Sequence, residues 1–273
     1  MNGHFQPAQM RSPKQASRPE QAWRLVWTGL AFVLFGLGGL ALTLTAFPLI
    51  NFLVRDPERR AALAQGLVHR AFRLHVRYMT LFGVISVTMI GAEKLASDKG
   101  VLFVSNHPSL LDVVLLMSAM KRAQCIVKAD IWDNPFMRGP VTAAGYIRND
   151  GNAEQLVADC SRDLAAGKNI VIFPEGSRTV PGVPMKFQRG VANIAIRSGA
   201  PIRLITIECV PPSLMKGQKW YQIPPVRSHF TITVHGLIEM NRFMSDLSPS
   251  VAARHLNAYL VEQFKGAIDV ERT

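Results

Sequence analysis

The sequence predicts an α/β fold, a central sheet with helices on its faces, joined to an N-terminal membrane segment. Three observations point there. From Val84 onward, short strand-like runs alternate with helical stretches, the pattern of a sheet covered by helices. The two clusters richest in reactive groups, Asn106–Asp112 and Phe173–Thr179, each directly follow a strand-like run, where the ligand-binding loops of such sheets lie. Between Trp23 and about Val54 the chain is almost wholly apolar and long enough to cross a bilayer.

Residues 1–22 read as a disordered basic tail: they are rich in Gln, Pro, Ser and Arg, show no apolar period, and bury too little to offset the entropy of ordering. Residues 23–54 read as the membrane segment, with Trp23 and Trp27 at one border as interfacial anchors. A cleaved signal peptide fits poorly, because the charged region ahead is long and the apolar part exceeds an ordinary h-region. Arg11, Lys14, Arg18 and Arg24 precede the block and Arg55, Arg59 and Arg60 follow it, so charge gives no orientation. With Gly36, Gly38, Gly39 and Pro48 inside the block, a single pass and a helical hairpin that enters and leaves on one face are both open. Residues 55–83 read as an amphipathic helix in which His69, Arg70, Arg73, His75 and Arg77 interleave with Leu67, Phe72, Leu74 and Tyr78. It would lie on a membrane surface or on the globular domain, its histidines then belonging to the polar face.

Residues 84–273 read as one folded domain. Strands are expected over V-I-S-V-T-M-I-G, V-L-F-V-S, C-I-V-K, N-I-V-I-F-P, P-I-R-L-I-T-I-E and F-T-I-T-V-H-G. Helices are expected from Pro108 to Met120, over Ala153–Ala166, and over Val191–Ser198 with Gly199 closing the last. The net charge of +12 attracts an anionic partner. No zinc-finger spacing or RNP-like aromatic pattern is visible and an apolar block is, so the partner is membrane lipid and not nucleic acid. Cys125, Cys160 and Cys209 stand far apart without C-x-x-C or His/Cys clusters; they read as buried free thiols of a reducing compartment, with no metal site.

The first cluster reads N-H-P-S-L-L-D. In one regular helix His107 and Asp112 would stand about 140° apart and could not pair. Pro108 breaks the turn, since it pushes the residue before it toward extended geometry and suits a helix start. Asp112 can then lean back, fix the imidazole tautomer and favour its protonated form, making His107 a general base. A second reading stays open: Ser109-Leu-Leu-Asp112 matches a capping box, in which Asp112 only satisfies a backbone donor.

The second cluster reads F-P-E-G-S-R-T. Gly176 lets backbone approach a ligand, and Arg178 offers a planar fork for phosphate. Lys186 and Arg189 follow, ahead of a helix starting near Gly190 whose N-terminus also favours anions. Glu175 could bind an acceptor hydroxyl or hold Arg178. A serine hydrolase using Ser109 or Ser177 is the competitor, but neither sits in G-x-S-x-G. Attack by a substrate hydroxyl on a thioester, activated by His107, needs no enzyme nucleophile. The combination suits acyl transfer onto a hydroxyl of an anionic acceptor.

At these residues the chain resembles the glycerolipid acyltransferases, the lysophosphatidic acid acyltransferase (1-acyl-glycerol-3-phosphate acyltransferase) family. N-H-x-x-x-x-D is met by Asn106, His107 and Asp112, and F-P-E-G-[ST]-R by Phe173–Arg178. Lys128-Ala-Asp130-Ile131 with Pro135–Gly139 is similar to the family's K-x-E-L and P-x-x-G, with Asp for Glu, and Phe187–Gly190 to its F-K-x-G. The resemblance covers about Val84 to Gly236. It implies a central mixed sheet flanked by helices and transfer of a fatty acyl group from acyl-CoA or acyl carrier protein to a lysophospholipid hydroxyl at a membrane, without a cofactor. It further implies His107 as base, Asp112 as its partner, and substrate contacts from Lys128, Arg148, Glu175, Gly176, Ser177, Arg178, Lys186 and Arg189. The place implied is a membrane, the inner one in a bacterium, with the domain on the cytoplasmic face. Two departures, Arg148 one position early and Leu204 beside Arg203 where a proline is usual, fall on acceptor or chain recognition. They leave another specialised hydroxyl lipid open as acceptor. A noncatalytic lipid-binding member of the fold is the further alternative.

Overall fold

The structure is a computed structural model describing residues 17–180, 182–243 and 247–271. The apolar block forms α1 (Arg18–Leu44) and α2 (Ala46–Leu53), broken at Thr45. α3 (Pro57–Leu81) starts at Asp56, whose side chain accepts from the N–H groups of Glu58 and Arg59, with Pro57 in the first turn. The domain continues as β1 (Ile85–Ile90), α4 (Glu93–Ser97), β2 (Leu102–Ser105), α5 (Asp112–Ala119), β3 (Gln124–Lys128), α6 (Asp130–Asp133), α7 (Arg138–Ala143), β4 (Ile147–Asn149) and α8 (Ala153–Ala165). It ends with β5 (Ile170–Ile172), α9 (Gly190–Ser198), β6 (Ile202–Val210), β7 (Ser228–Ile238) and α10 (Pro249–Glu271).

The strands form a mixed sheet in the order β1-β7-β6-β2-β5-β3-β4. All neighbours are parallel except β6 and β7. β2 lies between β5 and β6, with Leu102, Phe103 and Val104 opposite Ile170, Val171 and Ile172 on one side. It is buried on both faces, which explains an unbroken apolar run in place of alternation. Leu102 and Val104 pack under α8, α9 and α10, and Phe103 under α3 and α5. The α/β class and mixed sheet expected from the sequence are therefore present.

Several elements differ from the sequence reading. β4 contributes three residues with only Ile147 buried, too short for a period to register. α10 is amphipathic in register, burying Ala252, Leu256, Leu260 and Phe264, a four-residue spacing present in the sequence and unread there. Helix α1 begins at Arg18, inside the segment read as tail; residues 1–16 of that tail lie outside the described residues. The histidines of α3 are not polar-face residues. His69 Nδ1 is 3.1 Å from the carbonyl oxygen of Met117, and His75 meets Phe35 edge-on at 5.4 Å, because α3 packs against α5 and α1. Its exposed face carries Arg70, Arg73 and Arg77. Leu204 is buried in the core and Arg203 pairs with Asp98, so both departures on β6 serve packing and do not line the cavity described below.

The apolar block packs on the domain along one side. Trp27 stacks on Phe82 at 3.8 Å, Phe35 on Phe72 at 5.8 Å, and a side chain at Gly39 would meet the carbonyl oxygen of Phe136 at 2.6 Å. Its outer side leaves Val26, Val33, Leu37, Leu44 and Phe52 exposed. Arg18–Leu53 is long and apolar enough to cross a membrane.

Candidate active site

Because β2 and β5 are adjacent and parallel, the loops leaving their carboxyl ends emerge side by side. That topology brings His107 against Glu175 across 68 positions of chain. Asn106 fixes the departure point: its Nδ2 donates to the Ile207 carbonyl at 2.8 Å and its Oδ1 accepts from the Ile207 N–H at 2.7 Å. A side-chain amide thus extends the β2–β6 ladder by one rung.

Helix α5 starts only at Asp112, so His107 lies on the turn ahead of it. His107 Nδ1 is 2.8 Å from Asp112 Oδ2, and the same oxygen accepts from the Ser109 N–H at 2.7 Å. The cap and the histidine partner are therefore one carboxylate performing both tasks. Asp112 is fully buried, and its other oxygen, Oδ1, has no hydrogen-bond partner. Burial pushes its carboxyl above the ordinary carboxylate range, opposed by the hydrogen bonds from His107 and Ser109. The imidazole rests on Phe173 with ring centroids 4.3 Å apart.

Glu175 and Thr179 clamp the backbone of His107. Glu175 Oε1 accepts from the His107 N–H at 3.1 Å and from the Thr179 hydroxyl at 2.7 Å, and the Thr179 N–H donates to the His107 carbonyl at 2.7 Å. Arg178 is held elsewhere: its Nη1 donates to the carbonyls of Leu214 and Met215, both at 2.9 Å, fastening the β6–β7 connection over the site. Gly176 adopts φ +66°, which a glycine reaches without strain. Lys216, from the β6–β7 connection, donates to Ser177 Oγ at 3.4 Å.

These groups rim a cavity of about 720 Å³. His107, Lys128, Gly176, Ser177, Arg178 and Lys216 line it, and the rest of its wall is chiefly apolar, including Phe32, Phe35, Phe72, Met79, Val114 and Tyr146. It passes beneath α1 and α3 and reaches the carboxyl ends of β3, β4 and β5. The three thiols are free and buried, and burial pushes Cys125 up to about 12, which leaves it inert as a nucleophile at neutral pH.

Of the residues expected at the site, Arg148, Lys186 and Arg189 are not brought to this cavity. Arg148 is exposed on β4, and its neighbour Asn149 lines the wall instead, as strand alternation requires. Phe187 turns into the core against Phe264, leaving Lys186 exposed. Arg189 faces a small separate concavity with Asn193, Ser250 and Arg254. Neither serine partners the histidine: Ser109 Oγ donates to the Ser213 carbonyl and Ser177 Oγ to the Arg178 carbonyl. Lys216 was missed because it stands outside both clusters in an unpatterned connection; only tertiary contact recruits it.

A family model for Acyltransferase matches residues 86–208. A 1-acyl-sn-glycerol-3-phosphate acyltransferase of Chlamydomonas reinhardtii is 30% identical over 161 residues, 57% of this chain and 48% of that protein. One of Helicobacter pylori is 34% identical over 118 residues, 40% of this chain and 50% of that protein. The human alpha form is 27% identical over 169 residues, covering 60% and 56%. The chain spans about half the length of the curated relatives it matches. Among solved structures, the 1-acyl-sn-glycerophosphate acyltransferase PlsC of Thermotoga maritima has the same fold, with a TM-score of 0.65 at 18% identity over 91% of this chain and 97% of that one. Both motif clusters fall inside the matched residues, so the region 86–208 is similar to the Acyltransferase family and, within it, to the 1-acyl-sn-glycerol-3-phosphate acyltransferases.

Proposed function

We propose that this protein transfers a fatty acyl group from an acyl thioester, acyl-CoA or acyl carrier protein, to the free hydroxyl of a lysophospholipid such as 1-acyl-glycerol-3-phosphate. The observation that carries this reading is a histidine held by a buried carboxylate at 2.8 Å and presented to a large apolar cavity rimmed by cations. Asp112 keeps the proton on Nδ1, leaving Nε2 to take the acceptor hydroxyl's proton as its oxygen attacks the thioester carbonyl. The carbon–sulfur bond then breaks and the thiolate leaves, recovering a proton from the imidazolium. Lys216 and the Arg178 guanidinium supply charge for the acceptor phosphate, and the apolar wall takes an acyl chain. The exposed apolar side of α1 and α2 sits in one leaflet, with Arg70, Arg73 and Arg77, which share a face of α3, at the headgroups. This monotopic arrangement puts the domain on the face where thioester donors are made.

The test is thiol release from acyl-CoA and from acyl carrier protein by the detergent-solubilised protein, with and without lysophosphatidic acid, beside His107→Ala. Release that needs the acceptor and disappears in the variant is expected. Release without acceptor means hydrolysis. Release by the variant at more than about a tenth of the wild-type rate removes His107 as base, since such assistance is worth about 10²–10⁴-fold.

A further inference from the structure

The cavity does not end in hydrocarbon. Where it reaches the start of α1, its wall includes Arg24, Thr28 and Ser228. Arg24 is 3% exposed. One of its donors, Nη2, is bonded to the Pro225 carbonyl at 2.7 Å, and Nε has no hydrogen-bond partner. Arg227 lies close enough for the two charges to repel; its Nη2 donates to the carbonyls of Thr80 and Ile85, and its Nε is likewise unpartnered. Ser228 is 2% exposed, and its hydroxyl has no partner beyond the neighbouring Cys209 thiol. The ion pairs among the described residues lie elsewhere, and Glu20, the carboxylate acting on Arg24, stands exposed one helical turn away.

A guanidinium held out of water without a hydrogen-bonded carboxylate is costly, and a second positive charge nearby adds to the cost. A terminal methyl at this end of the cavity would leave it so. A phosphate or carboxylate would satisfy the Arg24 Nε donor and the Ser228 hydroxyl together, through charge-assisted bonds that suit the guanidinium fork. Between this end and Phe35, α1 presents Thr28, Ala31 and Phe32 to the cavity over about 16 Å of helix, an apolar trough for one chain. We propose that the Arg24–Ser228 end of the cavity, with the charge of Arg227 behind it, binds the anionic headgroup of a single-chain amphiphile whose tail lies along this face of α1. The site is separate from the His107 rim and does not depend on the reaction assigned to it.

The experiment is titration calorimetry of the full chain in a neutral detergent with dodecyl phosphate, with dodecanol and with inorganic phosphate. The variants are Arg24→Gln, which can still donate to Pro225, Arg24→Lys, which keeps the charge, and Ser228→Ala, which leaves the α1 contact untouched. Dodecyl phosphate should bind more tightly than either fragment. Arg24→Gln should weaken it at least about tenfold, as loss of a charged hydrogen-bond partner does. Arg24→Lys should restore most of the loss, Ser228→Ala should weaken binding two- to fivefold by roughly one neutral hydrogen bond, and His107→Ala should bind as wild type. Equal affinity for dodecanol overturns the anion, and equal affinity for inorganic phosphate overturns the amphiphile. Unchanged binding in both Ser228→Ala and Arg24→Gln leaves Arg24 as a fastener of the β6–β7 connection alone.

Discussion

Substituting Asp112 by asparagine separates the charge of the buried carboxylate from its geometry. Both bonds it accepts, from His107 and from the Ser109 N–H, converge on Oδ2, while Oδ1 has no partner. An asparagine with its oxygen at the Oδ2 position keeps both bonds and the imidazole tautomer, and puts its amide nitrogen where the unsatisfied oxygen was. What disappears is the negative charge facing the imidazolium. Two unit charges about 4 Å apart at an effective dielectric constant near 20 interact by about 4 kcal/mol, so kcat should fall by about 10³-fold with the acceptor KM nearly unchanged. Stability should move the other way. Burial raises the Asp112 carboxyl in the folded chain, so wild-type stability falls as pH rises through that raised value, where the folded protein holds a proton that the unfolded chain has released. Asp112→Asn escapes this and should melt at or above the wild-type temperature at pH 8, the difference closing as pH falls toward the unfolded carboxylate's range near 4. Steady-state thiol release and thermal melts at several pH values measure both effects. A kcat loss under tenfold would show that Asp112 merely caps α5, and a lower melting temperature at pH 8 would refute the cost assigned to its charge.

Glu175→Ala should lower kcat by about 10²-fold through misplacement of His107, whereas Glu175→Gln, whose carbonyl oxygen can still accept from His107 and Thr179, should stay near wild type; equal losses in thiol-release kinetics would mean that the charge of Glu175 acts directly. Gly139→Ala should uncouple α7 from α1, because the added carbon collides with Thr43, and should cost about 1–3 kcal/mol as an overpacked contact, read in a thermal melt. His75 is held neutral by burial, which lowers it to about 4. Below pH 6.5 the unfolded chain therefore takes a proton that the folded chain refuses until about pH 4, and stability should fall across that window. His75→Phe should flatten this acid limb of melting temperature against pH, and an unchanged limb would move the acid sensitivity to another group.

The sequence by itself carried the α/β class, the membrane-suited block and both motif clusters, because each is a local pattern. A buried parallel strand must be apolar on both faces, as Leu102, Phe103 and Val104 are, and a proline after His107 must break the turn wherever the chain goes. The tie between cap and histidine partner was also legible as a pair of options, since both depend on residues five apart or fewer. The amphipathic reading of α3 found its helix but misassigned His69 and His75, since periodicity ranks faces by polarity and cannot see which histidine finds a carbonyl or an aromatic edge. What only the tertiary structure decided was convergence. The order β6-β2-β5 placed Glu175 behind His107 and not on the wall of the cavity. The turn of Phe187 into the core sent Lys186 outward, and the β6–β7 connection brought Lys216 to the cavity wall. Direction in space depends on strand order and on which neighbour is buried, and these are sums over distant contacts that no local spacing encodes.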